Sequence, residues 1–234
     1  MKFKINIYAD GASEKDFVTL NKKKIVSGFT TNPSLMKKNG ITNYKKFAKK
    51  ILKRINKPIS FEVFDDELDQ MMRQAKIISS WSKKAYVKIP ITNTKGRSTK
   101  SVVKKLTDNG IKCNVTAVFN LKQVKSLLKD IDREADLIIS VFAGRISDTG
   151  IDAKKILKDI VKFSKKWTKC KILWASTREI YNIWDAQDCG CHIITVPTDM
   201  MFKIENIYKK NLDNYSLDTV KMFYKDAKIA GYKI

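Results

Sequence analysis

At 234 residues and 43% apolar, the chain suits one large domain or two small ones and can bury a substantial core, which excludes wholesale disorder. Its 47 lysines and arginines against 24 acidic residues leave a net charge of +23, yet lysines in runs such as Tyr44-Lys45-Lys46-Phe47-Ala48-Lys49-Lys50 alternate with apolar residues at helical spacing, and no RNA-binding aromatic motif, zinc finger or basic tail accompanies them. Nucleic acid is therefore not the expected partner, although the charge would draw anionic substrates inward.

Strand-like and helix-like stretches then alternate along the chain. Ile5–Asp10 reads as a first strand and Ile25–Thr31 as a second, after which Asn32-Pro33-Ser34 turns into a helix predicted to run to about Ile55. Ile59–Phe64 is the third strand, followed by a helix from about Asp66 to Ser82. The fourth, Ala85-Tyr86-Val87-Lys88-Ile89-Pro90-Ile91, precedes a helix predicted over Gly96–Asn109. Lys112–Phe119, Leu137–Phe142, Lys171–Ser176 and His192–Pro197 supply strands five to eight. Helices are predicted near Asp199–Leu212 and Leu217–Ala230.

Eight β/α units without a linker predict an α/β fold, a (β/α)₈ TIM barrel forming a single domain over residues 1–234, with 199–234 as a C-terminal helical segment. The opening Met1-Lys2-Phe3-Lys4-Ile5-Asn6 lacks the apolar run of a secretory leader, and no segment approaches membrane-spanning length. Cys113, Cys170, Cys189 and Cys191 form no CxxC pair, so reduced thiols in a cytoplasmic protein are expected. Cys189-Gly190-Cys191-His192 lacks the second ligand cluster of a zinc site, and no metal or other cofactor is expected.

The lysine of the fourth strand carries the chemistry. An amine set inside an apolar strand loses hydration, which favours its neutral, nucleophilic form, so Lys88 is a candidate Schiff-base residue. A lysine at a strand end that extends its ammonium into water has the same sequence appearance. The other strand ends decide between them. Asp10, Thr31, Asn32, Glu62, Asn114, Thr116, Ser140 and Ser176 stand at or near C-terminal strand ends, where barrel active sites form, and Arg145 and Arg178 follow strands six and seven. Each alone has a bland explanation, such as Asn32 capping a helix. Two carboxylates, a lysine and several amides and hydroxyls at one mouth make the inventory of a site for carbonyl chemistry on a polyol.

These residues also carry a family resemblance. Thr30-Thr31-Asn32-Pro33-Ser34, Val87-Lys88-Ile89-Pro90, Cys113-Asn114-Val115-Thr116, Ser140-Val141-Phe142-Ala143-Gly144-Arg145-Ile146 and Ala175-Ser176-Thr177-Arg178 resemble successive motifs of the short-type transaldolases, a class close in length to the fructose-6-phosphate aldolases. Deoxyribose-phosphate aldolases place their lysine on strand six, where this chain has none.

The resemblance implies a set of roles. Lys88 attacks a ketose phosphate at C2. Asp10 takes the C4 hydroxyl proton. Glu62 shuttles protons through a water held with Thr116. Thr31, Asn32, Asn114, Ser140 and Phe142 contact the substrate, and Arg145, Ser176 and Arg178 bind its phosphate. The iminium replaces a Lewis acid, so no metal is implied. Glutamate at 62 and phenylalanine at 142, where the aldolase group has glutamine and tyrosine, favour transfer of a dihydroxyacetone unit to an aldose phosphate over free cleavage. A fructose-6-phosphate aldolase, a paralogue acting on an unusual sugar, and a non-catalytic nucleic-acid-binding protein are the alternatives. Gly11-Ala12, Lys95 and Trp174 depart from the family pattern and bear on the acceptor. The resemblance further implies a homo-oligomer, a pentamer or decamer, in which the C-terminal helix reaches a neighbour.

Overall fold

A computed structural model describes residues 3–234. Eight parallel strands close into a barrel in the order β1 to β8, each bonded to its sequence neighbours and β8 to β1. They are β1 (Asn6–Asp10), β2 (Val26–Thr30), β3 (Ile59–Glu62), β4 (Ala85–Pro90), β5 (Cys113–Val118), β6 (Leu137–Val141), β7 (Cys170–Trp174) and β8 (Ile193–Pro197). The helices between them are α1 (Glu14–Asn21), α2 (Pro33–Lys38), α3 (Tyr44–Arg54), α4 (Leu68–Ser79), α5 (Lys100–Asp108), α6 (Leu121–Leu128), α7 (Ala143–Asp148), α8 (Ala153–Ser164) and α9 (Asn182–Asp188). The expected (β/α)₈ barrel is therefore present. The chain folds as two compact units, one ending at Thr198 and the other covering Asp199–Ile234. Helices α10 (Thr198–Ile207) and α11 (Leu212–Ala230) follow β8.

Side chains alternate across a strand, so one inward residue sets the parity of the rest. Tyr8, Tyr86, Ile138, Leu173 and Ile193 pack together in the barrel interior. Two residues further along the same strands stand Asp10, Lys88, Ser140 and Thr195, all at one end of the barrel. The lower layer is apolar and the upper layer polar. Gly28 belongs to the lower layer because nothing larger fits: a Cβ there would lie 2.6 Å from the Tyr8 ring. The opposite parity, with Val87, Ile89, Phe61, Val115 and Ile139 all buried, packs against the helical ring.

Element boundaries differ most from expectation in three places. The single helix predicted to end near Ile55 is two, because Gly40 adopts φ 67 and ends α2, with Gly40 N–H donating to the Lys37 carbonyl and Ile41 N–H to that of Met36. Asn43 then caps α3 by accepting from Lys46 N–H at 2.9 Å. Helix α5 starts at Lys100 rather than Gly96, because residues 92–98 form a loop. Gly96 sits at φ 75, Thr92 pairs with Ser98, and the Asn93 side chain accepts from Lys95 and Arg97 N–H. Helix α10 stops at Ile207, and Asn211 caps α11 through Asn214 N–H. Among the described residues no helix is long and apolar enough to cross a membrane.

Candidate functional site

The upper polar layer opens into a cavity of about 200 Å³ at the C-terminal ends of the strands. Of the residues expected there, Asp10, Asn32, Lys88, Thr116, Ser140, Phe142, Arg145, Ser176 and Arg178 line it. Strand pairing sets their spacing. Glu62 lies opposite Lys88, Lys88 opposite Asn114, and Asp10 opposite Thr30.

Lys88 is only 6% exposed. Its Nζ makes an ion pair with Glu62 Oε2 at 3.1 Å and donates to the Thr31 carbonyl at 3.1 Å. Three donors on an ammonium and two protein acceptors leave one direction for the cavity. The reading in which Lys88 reaches into bulk water is thereby excluded. A partly buried carboxylate 3.1 Å from an amine is placed to take its proton and leave a free lone pair on nitrogen.

Asp10 accepts a hydrogen bond from Thr30 Oγ1 at 2.7 Å. Burial pushes its pKa above the ordinary carboxylate range and the nearby Glu62 charge adds to this, while the Lys88 charge and the Thr30 hydrogen bond pull the other way. A carboxyl in that balance is suited to exchanging a proton with a substrate hydroxyl.

Beside them, Ser140 Oγ donates to Asn114 Oδ1 at 2.7 Å, and Asn114 Nδ2 donates to Ser60 Oγ at 3.0 Å. This ties β3, β5 and β6 together next to Lys88, whose partner in register on β5 is Asn114. Thr116 Oγ1 is buried without a protein partner among the described residues, so it is left for a water or ligand. Asn32 does two things. Its Oδ1 caps α2 by accepting from Leu35 N–H at 2.9 Å, and its side chain also lines the cavity.

Three expected residues do not line the cavity. Glu62 acts on it through Lys88, and Asn114 through Ser140. Thr31 is fully buried with its hydroxyl donating to the Ser60 carbonyl, and meets Lys88 only through its backbone oxygen. Conversely, Thr30, Thr177 and Thr195 line it without having been singled out. Thr30 was within reach of the sequence, since it stands beside Thr31 at a strand end. Thr177 and Thr195 were not: the Thr177 hydroxyl donates to the Thr195 carbonyl, a contact set by how the turn after β7 packs on the neighbouring β8.

Arg145 comes from α7 and Arg178 from the turn after β7, two segments held in contact by a close backbone approach. A Cβ on Gly144 would lie 1.7 Å from the Ser176 carbonyl oxygen, so only glycine permits it. Ser176 itself adopts φ 64, a left-handed conformation unusual for a residue with a side chain. The Arg145 guanidinium lies 5.6 Å from the centre of the Phe142 ring, which also packs at 5.8 Å on Phe119. Gly11, Ala12, Lys95 and Trp174, the departures noted in the sequence, all lie outside the cavity lining. In the cysteine cluster, Cys189 Sγ donates to the Lys154 carbonyl and His192 Nδ1 accepts from Ile172 N–H, so both atoms serve the fold.

The model of the transaldolase/fructose-6-phosphate aldolase family matches residues 7–234. A probable transaldolase of Thermoanaerobacter sp. is 32% identical over 235 residues, covering 100% of both chains. Probable transaldolase 2 of Listeria monocytogenes is 32% identical over 87% of this chain and 88% of its own. A probable transaldolase of Roseiflexus castenholzii is 34% identical over 82% and 86%. Among solved structures, the orotidine 5'-monophosphate decarboxylase of Metallosphaera sedula superposes with a TM-score of 0.58 at 9% identity, covering 87% of this chain and 96% of that one, a likeness of fold alone.

Proposed function

This chain belongs to the transaldolase/fructose-6-phosphate aldolase family, and from that premise we propose that it is a transaldolase. It would carry a dihydroxyacetone unit from a ketose phosphate such as fructose 6-phosphate or sedoheptulose 7-phosphate to an aldose phosphate, through a Schiff base on Lys88. The observation that carries the reading is the buried amine itself, held 3.1 Å from Glu62 in the same cavity as Asp10 and two arginines.

The steps follow from positions. Glu62 takes a proton from the Lys88 ammonium, and the amine adds to the C2 carbonyl. Loss of water, with protons relayed between Glu62 and a water on the Thr116 hydroxyl, leaves the iminium. Asp10 removes the C4 hydroxyl proton, the C3–C4 bond breaks, and its electron pair moves into the iminium to give an enamine while the aldose departs. The enamine carbon adds to the aldehyde of the acceptor, Asp10 returns the proton, and hydrolysis frees Lys88. Asn32 and Ser140 hold the hydroxyls of the three-carbon unit, Asn114 holding Ser140, and Arg145, Arg178 and Ser176 hold the phosphate.

Phe142 favours transfer over free aldol cleavage. Its ring borders the cavity and carries no acid, so nothing at that position protonates the enamine before an acceptor arrives. Borohydride reduction in the presence of fructose 6-phosphate should add a three-carbon mass to a peptide containing Lys88, and Lys88→Met should abolish both adduct and turnover. An adduct on any other lysine, or equal trapping by the variant, refutes the reading. Product formation with and without an acceptor aldose phosphate separates transferase from aldolase.

A further inference from the structure

Asp148, the last residue of α7, has no part in the chemistry above, yet it ties the helix that carries Arg145 to the side chain of Arg178. It stands three residues after Arg145 on the same helix, and its carboxylate grips Arg178 in two-point fashion, Nε donating to Oδ1 at 3.1 Å and Nη2 to Oδ2. Hydrogen bonding to Arg178, with smaller contributions from the Arg178 and Arg145 charges, holds its carboxyl below the ordinary range, so it stays charged throughout neutral pH. The main chain is pinned as well, Arg178 N–H donating to Asn182 Oδ1 at 3.0 Å.

We propose that Asp148 is a positioning residue for phosphate recognition: it clamps the Nε–Nη2 edge of Arg178 and so presents the remaining guanidinium donors to the cavity that Arg178 and Arg145 share. This rests on the assignment of those arginines to the substrate phosphate. A guanidinium has five N–H donors, and a two-point grip on one edge leaves three of them. A long arginine side chain loses rotamer freedom when it grips an anion. With Asp148 in place that freedom is lost before the phosphate arrives, so less affinity is forfeited on binding. The carboxylate's charge also offsets part of the repulsion between two guanidinium groups that share one cavity. Both side chains are about half exposed, at 51%, so solvent screens the pair and its effect is moderate.

Asp148→Ala should raise the KM for fructose 6-phosphate and the Kd for inorganic phosphate about fivefold, the size expected of an exposed two-point ion pair, with kcat and the KM for dihydroxyacetone little changed. Asp148→Asn, which keeps one acceptor oxygen and the side-chain volume, should fall between, and serves alone if the alanine variant does not fold. In an Arg178→Ala background neither change should matter further. An equal loss in that background, an equal loss with dihydroxyacetone, or tighter phosphate binding by Asp148→Ala would each overturn the proposal, the last by making Asp148 a competitor of the phosphate. Titration with inorganic phosphate does not depend on the carbon chemistry. Failure of wild-type borohydride trapping would therefore strike the transaldolase reading and leave the role of Asp148 under test.

Discussion

The reactive residues form a balance of charges in which each neighbour has a measurable effect. Folding raises the Asp10 pKa, and the Thr30 hydrogen bond opposes that rise by favouring the ionised form. Thr30→Val should therefore move the acid limb of the kcat/KM profile to higher pH. An unmoved limb would mean that another group controls it. The same shift has a consequence for stability. A carboxyl raised on folding contributes stability in full below its unfolded pKa, and the contribution is lost as pH rises towards the folded value. Asp10→Asn should accordingly abolish turnover while raising the denaturant midpoint at neutral pH, and a lowered midpoint would contradict the strain assigned to Asp10. Phe142 offers a third test. With a tyrosine hydroxyl at the cavity edge, Phe142→Tyr should increase fructose 6-phosphate cleavage without acceptor relative to transfer, because a phenol protonates the waiting enamine. Unchanged partitioning would assign the fate of the enamine elsewhere.

Among the elements, the junction of α7 with the turn after β7 does most to shape the mouth. The Ser176 carbonyl fills the space where any side chain on residue 144 would begin. Gly144→Ala must displace backbone, a cost of about 3 kcal/mol at the upper end of overpacking. Arg145 and Arg178 should separate with it. The expected outcome is a lower unfolding midpoint together with a raised KM for phosphorylated donors, and a variant of unchanged midpoint would show that the approach is not tight in solution. A second irregularity lies at β5, where Ala117 at φ 57 shifts the pairing with β6 between Val115 and Val118. Thr116 sits within that shift, at the point where its hydroxyl has no hydrogen-bond partner among the described residues.

For the whole molecule, charge and exposed apolar surface pull in opposite directions. Helix α11 has no buried residue and exposes Leu217, Val220, Met222, Phe223 and Tyr224. Apolar surface of that extent marks a contact surface, and the family resemblance implies that the contact is another copy of the chain. Each copy brings a formal charge of +23, and like charge opposes association. Salt screens that repulsion over a Debye length of about 8 Å at physiological ionic strength. Light scattering should therefore show an oligomer that strengthens from low to moderate salt, and a monomer mass at both would exclude it.

The sequence by itself determined the barrel and most of the mouth. Period-two patterning places Lys88 on the same face as Tyr86, and parallel strands of like length bring Asp10, Glu62, Thr116 and Ser140 to one end. Such relations are local or repeat from strand to strand, so they are written into residue order. What the tertiary structure decided is how those groups are engaged. Residue order alone allows Lys88 to reach water; Glu62 and the Thr31 carbonyl on its nitrogen hold it in the cavity instead. Thr31 turned its hydroxyl to Ser60, Arg178 was found gripped by Asp148, and Thr177 and Thr195 joined the lining. Those partners lie 18 to 57 residues apart in the chain. No periodicity specifies contacts at that range; they follow from barrel closure and from backbone conformations such as that of Ser176, which carry no signature in residue type.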